Sequence, residues 1–442
     1  MPKNKKVFIL GMAKSGYEAA KLLSKDNKVL ITDQKEQNKA NVDELLKLGV
    51  EYIVTDSPEK LLDDTYDLMV KNPGILPSHK CVQKARLLNI KIINEVELAY
   101  SYLPKNIKII GITGSNGKTT TTTLVYEFLK AANASVHLGG NIGYPLCSLV
   151  DKIKENDILL LEISDHQLVD MYDFKCDISA LLNLSETHLD LHGTYENYKL
   201  AKKKIFNNQN DTDIAILNYD DQEVMELTKN VNVTKKFFSK NSQKDIYITS
   251  NEIRIRDFII NFDDIKLKGI HNYENIMAAL LIIDTLGIDL EYSRDVLKHF
   301  NGVEHRIEFV RDIKGITFYN DSKSTNPVAT ITALKTFKNP TILLLGGYER
   351  NQNFNELNDY LNNVKCIICY GQTKERIEKF ANKLNILCYT YDYLKDSILK
   401  AYEIASSGDT ILLSPASASW DQYDNFEIRG NEFKNIVWEL EE

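Results

Sequence analysis

Residues 107–120 read IKIIGITGSNGKTT, and this stretch decides how the rest of the chain is interpreted. The apolar segment 107–112 predicts a buried strand, and a helical pattern through Leu129 follows the loop. The glycines allow a tight turn whose backbone N–H groups converge on phosphate oxygens, while Lys118 supplies a cation and Thr119 an oxygen ligand for Mg²⁺. Ile112 stands where the strict motif spacing has glycine, but the loop chemistry is retained. The stretch therefore predicts nucleotide binding at a strand-to-helix turn of an α/β domain.

Strand-length apolar runs alternate with amphipathic helical segments along the whole chain, which is typical of α/β domains with parallel sheets. We predict three domains: a Rossmann-like N-terminal domain at 1–104, a central P-loop ATPase domain at 105–303 and a Rossmann-like C-terminal domain at 304–442. The central sheet is expected to be mostly parallel. A small antiparallel insertion is expected between about Val233 and Gly269, where short alternating runs replace the long apolar ones.

The composition of the 442 residues excludes several classes of protein. Its 43% hydrophobic residues and only six cysteines argue against disorder and against a disulfide scaffold. The formal net charge of -8 argues against nonspecific nucleic-acid binding. Because no stretch has the length of a membrane span and no signal-peptide cleavage site follows the start, we expect no membrane insertion and a cytoplasmic location. Cys366 and Cys369 are expected in the core rather than in a metal or redox pair.

The first block carries a glycine-rich turn of the dinucleotide-binding type, from Gly11 to Gly16, between a strand and a helix. Ala13 occupies the middle glycine position, where it would crowd a pyrophosphate. Asp33 ends the next strand, where an acid could accept from a ribose or a base, and Lys35 follows it. The pattern leaves open NAD, another diphosphate-bearing nucleotide, or a domain of this fold that binds nothing.

Two charged residues of the central block are predicted to face the phosphates. Glu162 lies at the carboxyl end of the predicted strand 158–163, the edge at which ligands bind in parallel α/β sheets, so it could hold Mg²⁺. A buried strand-end acid paired with a lysine is the alternative. The lysines at 202–204 by default form a solvated basic face, and only Lys202, beside Ala201, is a candidate for an inward role.

Two histidines follow the next predicted strand. His188 and His192 are a helical turn apart, as in a zinc pair, but Gly193 makes a sustained helix unfavourable and no third ligand has a matching spacing. We therefore favour His188 as a ligand of a second Mg²⁺ or a phosphate contact, and His192 as a structural residue.

Separated stretches in a fixed order give nearly the whole chain a close resemblance to the muramyl (Mur) ligases, the ATP-dependent amide-forming enzymes that build the peptidoglycan stem peptide. The stretches are GITGSNGKT (111–119), GGNIG (139–143), LEIS (161–164), NLSETH (183–188), AK (201–202), GIHN (269–272), HR (305–306), NDSKSTN (320–326) and LSPASAS (413–419). The last one, with DQYDNF (421–426) and RGNEF (429–433), is most similar to the members that add D-glutamate.

The resemblance implies an ATP-dependent ligase that adds D-glutamate to UDP-N-acetylmuramoyl-L-alanine through an acyl phosphate, giving ADP and phosphate. It implies that the N-terminal domain holds the uridine diphosphate, the central domain ATP, and the C-terminal domain the amino acid. It further implies two Mg²⁺ ions, a carbamylated Lys202 as an anionic metal ligand, and a monomer.

Carried over residue by residue, the resemblance implies overlapping sets of site residues. Catalysis is assigned to Lys118, Glu162, His188 and Lys202, and metal binding to Thr119, Glu162, His188 and Lys202. ATP binding is assigned to Gly114, Ser115, Asn116, Gly117, Lys118, Thr119, Thr120, Asn272, Arg306 and Asp321. Substrate binding is assigned to Ser15, Asp33, Gln34, Lys35, Asn141, Ser164, Lys323, Thr325, Arg350, Ser419, Trp420 and Phe426.

The chain departs from the family pattern at several positions. Asp165 and His166 stand where many members carry Ser-Phe, and residues 34–35 are Gln-Lys in place of a Thr-Arg pair at the uracil end. Arg350 replaces a lysine of some members, and Trp420 replaces a leucine beside the amino-acid pocket. None of these departures removes the phosphate or metal residues.

Other functions remain as alternatives. Folylpolyglutamate synthase shares the ATPase and C-terminal plan but lacks a separate N-terminal Rossmann-like domain. A sibling Mur ligase that adds alanine or a diamino acid is disfavoured by the stretch 414–433. A regulatory nucleotide switch would not need Lys202, and an NAD dehydrogenase would favour glycine over Ala13 and would not need Lys118.

Overall fold

Helices lie against mostly parallel sheets throughout residues 1–441, the part of the chain that the computed structural model describes, the side chains at 189 and 190 excepted. The chain divides into two units, Met1–Phe300 and the residues from Asn301 onward. Within the described residues, no helix is long and apolar enough to cross a membrane. The predicted α/β class is confirmed, whereas the domain boundaries at 104 and 303 stay predictions.

The first sheet has five parallel strands in the order β3-β2-β1-β4-β5. Its elements are β1 (Lys6–Leu10), α1 (Lys14–Ser24), β2 (Lys28–Asp33), α2 (Lys39–Lys47), β3 (Glu51–Val54), β4 (Leu68–Lys71), α3 (Lys80–Leu87), β5 (Lys91–Ile93) and α4 (Glu95–Tyr100). The central strand β1 is buried from Val7 to Leu10, as expected for a strand covered on both faces. A Cβ on Gly16 would overlap the carbonyl oxygen of Gly11, so glycine lets α1 start close to the end of β1.

The central sheet has nine strands in the order β14-β13-β12-β11-β10-β9-β6-β8-β7. Its strands are β6 (Lys108–Thr113), β7 (Val136–Gly140), β8 (Ile158–Glu162), β9 (Ile178–Leu181), β10 (Ile214–Asn218), β11 (Thr234–Ser239), β12 (Ile246–Ile248), β13 (Glu252–Ile255) and β14 (Phe258–Asn261). Its helices are α5 (Lys118–Ala131), α6 (Asp165–Leu168), α7 (Leu189–His192), α8 (Tyr195–Lys203), α9 (Gln222–Thr228), α10 (Ile270–Thr285) and α11 (Tyr292–His299). Because β8 and β9 flank β6, the segments that follow all three strands leave the sheet at one edge.

The antiparallel insertion is smaller than the sequence predicts. Strand β11 pairs parallel with both β10 and β12, and only β12, β13 and β14 pair antiparallel with one another. The polar stretch TKKFFS of β11 resembles an insertion strand in sequence, but its position beside β10 makes it part of the parallel sheet.

Tertiary packing, rather than intrinsic preference, stabilises the helix after the phosphate loop. α5 begins KTTTTT, and β-branched threonines lower helix propensity. Its residues Leu124, Val125 and Phe128 are fully buried and belong to the same core cluster as α10, whose residues 276–283 are buried on every side. α5 therefore depends on α10 and the sheet for its conformation.

The second unit has a six-stranded sheet in the order β15-β16-β20-β17-β18-β19, in which only β15 and β16 pair antiparallel. Its elements are β15 (Glu308–Ile313), β16 (Ile316–Asn320), α12 (Pro327–Leu334), β17 (Thr341–Gly346), β18 (Val364–Tyr370), α13 (Lys374–Lys383), β19 (Leu387–Thr390), α14 (Leu394–Ile404), β20 (Thr410–Leu413) and α15 (Phe426–Glu439). The strands at the two edges of this sheet, β15 and β19, were not predicted from the sequence. Cys366 and Cys369 are buried in β18, which confirms their place in the core. Short 3₁₀ helices of the chain lie at Pro58–Lys60, Leu146–Ser148, Lys204–Phe206, Phe262–Asp264 and Phe354–Tyr360.

A buried ion pair joins the first two sheets. Lys71 ends β4, and its Nζ lies 3.0 Å from Asp170 Oδ2, with both side chains about 95% buried. The same ammonium donates to the carbonyl oxygen of Ile75 at 2.9 Å. Removal of one partner would leave an uncompensated charge in the interior, which is strongly destabilising.

We expect Lys71→Met to lower the free energy of unfolding by about 3 to 5 kcal/mol, since Asp170 would stay buried without its partner. Lys91→Met is the matched control, because Lys91 Nζ lies 3.2 Å from Asp173 in a pair whose side chains are 53% and 77% exposed. That control should cost less than about 1 kcal/mol. Urea unfolding followed by circular dichroism measures both values, and equal losses would contradict the assignment.

Candidate active site

The phosphate loop connects β6 to α5, and hydrogen bonds to Asn183 and from Lys118 hold its backbone. Its backbone N–H groups at Ser115 and Asn116 donate to the main-chain and side-chain oxygens of Asn183, at 3.0 and 2.8 Å. The Lys118 ammonium lies inside the loop, where it donates to the carbonyl oxygens of Gly114 and Ser115 at 2.7 and 2.9 Å. The loop is thus organised around a cation at a helix N-terminus, the arrangement that binds phosphate.

A cavity of about 370 Å³ opens beside Gly117. Gly117 has a φ of +80°, and a Cβ at this position would overlap Asn275 Oδ1, so only glycine fits between the loop and α10. Lys240 and Glu274, 3.0 Å apart, also line the cavity. The predicted Asn272 lies one helical turn before Asn275, and its amide donates to the carbonyl oxygen of Lys268. Asn275 was not predicted as a site residue, although its position three residues after Asn272 places both side chains on one face of α10.

Glu162 ends β8 almost completely buried. Its Oε1 accepts from Asn141 Nδ2 at 2.7 Å, while its Oε2 is buried without a hydrogen-bond partner among the described residues. A buried, unpartnered carboxylate oxygen is costly unless a cation faces it. Together with the hydroxyl of Thr119 in the first turn of α5, Glu162 fits the oxygen ligation that Mg²⁺ prefers.

Lys202 lies on α8 with its side chain fully buried, which confirms its predicted inward orientation. Its Nζ donates to Thr113 Oγ1 at 3.1 Å and lies 3.4 Å from Asp165 Oδ1. Burial and the nearby charge of Lys118 lower the pKa of Lys202 to about 7. Unlike an ordinary lysine, it therefore has a large neutral fraction near neutral pH.

Three imidazoles surround Asp165, which is 1% exposed at the start of α6. From its Oδ2, His166 Nδ1 lies at 3.2 Å, His188 Nδ1 at 3.0 Å and His192 Nε2 at 2.8 Å. Burial alone would raise the pKa of Asp165, but hydrogen bonds from His166 and His188 and the charge of Lys202 hold it well below its usual range. Asp165 is therefore an anion at the centre of the histidine cluster.

The fold brings two further candidate metal ligands to His188 that no spacing in the sequence indicated. Asp165, His166 and His188 offer three donor atoms within 4.8 Å of one another. They are separated in the sequence, but the segments after β8 and β9 meet at the edge of β6. His188 has a φ of +53°, an uncommon conformation for a residue other than glycine and one that strained functional positions often adopt.

Ser164 lies at the start of the short helix α6 and caps it. Its Oγ accepts from the backbone N–H of Gln167, and the Gln167 side chain accepts from the backbone N–H of Ser164 at 2.9 Å. This capping box fixes the direction in which the chain leaves Glu162. The observed role of Ser164 is therefore local, beside the predicted contact to substrate.

In the first sheet, a cavity of about 440 Å³ lies at the ends of β1 and β2, lined in part by Gly11, Asp33 and Gln34. Asp33 Oδ2 accepts from the backbone N–H of Met12 at 2.8 Å, and its Oδ1 accepts from that of Lys35 at 3.1 Å. Asp33 thus braces the glycine-rich turn as well as facing the cavity. The predicted Ser15 lies in the first turn of α1, and Lys35 is exposed after β2.

In the second unit, the loop that carries Arg306 is strained on both sides. His305 and Ile307 both have positive φ, which is unusual for a β-branched residue such as isoleucine. The backbone N–H of Ile307 donates to Asp321 Oδ1 at 3.2 Å, and Ser414 Oγ donates to Asp321 Oδ2 at 2.6 Å. Burial raises the pKa of Asp321 to about 6. The structure therefore brings the predicted Arg306 and Asp321 into one neighbourhood.

The residues predicted to bind the amino acid lie on three loops of the second unit, which follow β16, β17 and β20, and at the start of α15. Lys323 Nζ lies 6.0 Å from the ring centroid of Phe426, and the backbone N–H of Thr325 donates to the carbonyl oxygen of Lys323 at 2.9 Å. The Arg350 guanidinium lies 5.3 Å from the centroid of the exposed Trp420 ring.

Arg429, which was not predicted as a site residue although it lies in the stretch 429–433, joins the loops that follow β16 and β20. It is fully buried, and it donates to the hydroxyl and carbonyl oxygens of Ser322 at 2.9 and 2.8 Å and to the carbonyl oxygen of Ser417 at 3.0 Å. Lys323 follows Ser322 directly, and the buried Ser419 lies two residues after Ser417. Arg429 therefore fixes the backbone that presents both residues.

Comparison with known proteins identifies relatives over the full length. The Mur ligase middle domain matches residues 112–283, and the Mur ligase glutamate ligase domain matches residues 305–417. The UDP-N-acetylmuramoylalanine–D-glutamate ligase of Geobacillus sp. (strain WCH70) is 43% identical over 444 residues, which cover 99% of this chain and 98% of that protein. The protein of the same name from Streptococcus pneumoniae (strain P1031) is 41% identical over 446 residues, which cover 100% and 98%.

Solved structures share the fold. UDP-N-acetylmuramate-alanine ligase from Thermotoga maritima superposes with a TM-score of 0.59 at 20% identity and covers 98% of this chain and 99% of its own. MurF ligase from Thermotoga maritima, in complex with ADP, gives a TM-score of 0.57 at 20% identity, with coverage of 99% and 96%. At these identities, the likeness shows the fold alone.

We expect Gly117→Ala to weaken ADP binding by at least tenfold, since the methyl group would push Asn275 or the loop out of place, a cost of about 1.4 kcal/mol or more. Gly193→Ala is the matched control, because Gly193 has a φ of +73° but an added Cβ meets no described atom within 4 Å. It carries the same backbone strain without the overlap. Calorimetric titration with ADP measures both, and equal affinities would contradict the close-contact argument.

Proposed function

The chain belongs to the Mur ligase family, and we infer that it adds D-glutamate to UDP-N-acetylmuramoyl-L-alanine while ATP is converted to ADP and phosphate, in peptidoglycan precursor synthesis. The observation that carries this function is the 41–43% identity to D-glutamate ligases over almost the entire chain. The phosphate loop beside Glu162 and Lys202 supports it independently, since a ligase must activate a carboxylate next to its nucleotide.

Formation of an amide from a carboxylate and an amine needs a better leaving group than hydroxide. Transfer of the γ-phosphoryl group of ATP to the alanine carboxylate supplies one, because the acyl phosphate that results has phosphate as its leaving group. The neutral amine of D-glutamate attacks the acyl carbon to give a tetrahedral intermediate, which loses a proton from its nitrogen, expels phosphate and leaves the amide. Catalysis then consists mainly of positioning and of charge stabilisation.

We assign phosphate binding and Mg²⁺ ligation to different residues around the phosphate loop. We propose that the phosphate loop and Lys118 hold the β- and γ-phosphates, since the Lys118 ammonium lies inside the loop at the N-terminus of α5. Thr119, Glu162 and His188 would ligate Mg²⁺, with the unpartnered Glu162 Oε2 as the strongest support. When bound, Mg²⁺ neutralises charge on the phosphoryl oxygens. Asn141 holds the other oxygen of Glu162 and lies where the muramoyl-alanine arm is expected.

We propose that Lys202 is carbamylated and that its carbamate ligates the second of two Mg²⁺ ions. A cationic lysine would repel the metal, whereas reaction of the neutral amine with CO₂ releases a proton and creates an anion. The lowered pKa of Lys202 supports the proposal, because it makes the reactive neutral form abundant at physiological pH.

The remaining proposed site residues lie on α10, around the first sheet and in the second unit. We propose that Asn272, Arg306 and Asp321 contact the nucleotide, and that D-glutamate binds through Lys323, Thr325, Arg350, Ser419, Trp420 and Phe426. Arg429 braces the two loops that carry Lys323, Thr325, Ser419 and Trp420. The uridine diphosphate would occupy the cavity beside Gly11, near Ser15, Asp33, Gln34 and Lys35. We further propose the domains 1–104, 105–303 and 304–442, a monomer and a cytoplasmic location.

Phosphate release from ATP tests the activity directly. With UDP-N-acetylmuramoyl-L-alanine as acceptor, we expect turnover with D-glutamate and none above background with L-glutamate, L-alanine or a diamino acid supplied in parallel. Turnover with another amino acid instead would move the chain to a sibling ligase and void the assignments of Lys323, Thr325, Ser419 and Phe426.

Carbamylation is tested by ¹³C nuclear magnetic resonance in ¹³C-bicarbonate. We expect a carbamate carbon signal in the wild-type protein and its loss in Lys202→Arg, which keeps a cation but has no amine to react. Lys203→Arg, one residue further along α8, is the matched control and should retain the signal. A signal that survives in Lys202→Arg, or an active wild type without one, would refute the proposal.

A further inference from the structure

The cluster around Asp165 contains more hydrogen-bond donors than one carboxylate oxygen can accept. Oδ2 has two lone pairs, but the nitrogens of His166, His188 and His192 all lie within 3.2 Å of it. Lys202 faces the other oxygen, Oδ1. Hydrogen bonds therefore do not account for the full set of imidazoles at this oxygen.

The donor set has the geometry of a metal site. His188 Nδ1 and His166 Nδ1 lie 3.0 and 3.2 Å from Asp165 Oδ2, close to the distance of about 3.4 Å between the ligands of a tetrahedral ion bound at about 2.1 Å. All three donor atoms lie within 4.8 Å of one another. The His188 and His166 side chains are 45% and 26% exposed, so an ion can reach them from solvent. His192 lies at hydrogen-bond distance from the same carboxylate and would orient it, as residues behind metal ligands do.

The chemistry of the donors selects the class of metal. Mg²⁺ prefers oxygen ligands, whereas two imidazoles and one carboxylate favour Zn²⁺, Co²⁺ and other divalent transition metals. Three protein ligands also leave a coordination position open. Asp165 and His166 do not belong to the Mg²⁺ ligands proposed above, so those ligands do not account for them.

We propose that Asp165, His166 and His188 form a binding site for a divalent transition-metal ion in the enzyme without nucleotide, distinct from the Mg²⁺ ligands at Thr119 and Glu162. His188 belongs to both sets. An ion on the three residues therefore holds His188 away from Mg²⁺, and the two ions compete for its imidazole. The site needs neither ATP nor the amino acid, so it does not depend on the proposed activity.

Titration of the untagged full-length protein with Co²⁺ tests the site by visible absorption, with no nucleotide or substrate present. We expect one Co²⁺ per chain with the absorption of a nitrogen-ligated ion, retained in millimolar Mg²⁺. His166→Phe, which introduces the residue type of many family members, should weaken Co²⁺ binding by more than about tenfold, the loss typical even of residues that only orient a ligand. Asp165→Asn should do the same without a change in side-chain size.

Controls separate this site from its surroundings. His299→Phe removes a histidine that is 75% exposed on α11 and should leave Co²⁺ affinity unchanged. Circular dichroism melting confirms that each variant is folded. Equal Co²⁺ affinity in wild type, His166→Phe and Asp165→Asn would overturn the proposal. So would loss of binding in Glu162→Gln but not in His166→Phe, since the ion would then lie at the Mg²⁺ ligands.

Discussion

The structure depends on the burial of opposite charges at the edge of the central sheet. Glu162, Asp165 and Lys202 are each 1% exposed or less, and isolated charges in such a place would destabilise the fold by several kcal/mol each. They persist because Lys202 faces Asp165 while Asn141 and Thr113 supply hydrogen bonds. Among the described residues, the arrangement leaves one oxygen of Glu162 without a hydrogen-bond partner, and it lowers the pKa of Lys202 to about 7. The same constraint that limits the stability of this edge gives it the groups that phosphoryl transfer needs.

Local sequence predicted the parts of the molecule that local physics determines. A glycine-rich turn between an apolar strand and a helix can form in few ways, so the phosphate loop and the position of Glu162 followed from residues 107–120 and 158–163. The cluster around Asp165 did not, because it needs β8 and β9 on opposite sides of β6, and that order is a property of the whole sheet. The edge strands β15 and β19 were missed because their exposed positions break the apolar run.

The second unit shows the same division between local pattern and tertiary arrangement. The motif 320–326 identified Lys323 and Asp321 as candidates, but nothing in it indicates that a buried arginine from α15 holds Ser322 in place. Arg429 replaces water as the hydrogen-bond donor to three oxygens of two loops. Rigid loops reduce the conformational entropy lost when a ligand binds, which matters for an amino acid as small as glutamate.

The threonine-rich start of α5 also bears on how the protein is made. Translation produces β6, the phosphate loop and α5 early, but α10, the helix that packs on α5 and supplies Asn275 beside Gly117, emerges only after β7 to β14. The five β-branched threonines after Lys118 give α5 a low intrinsic helix stability before α10 is present. The last packing partners of α5 and Gly117 therefore become available only after most of the central sheet has been translated.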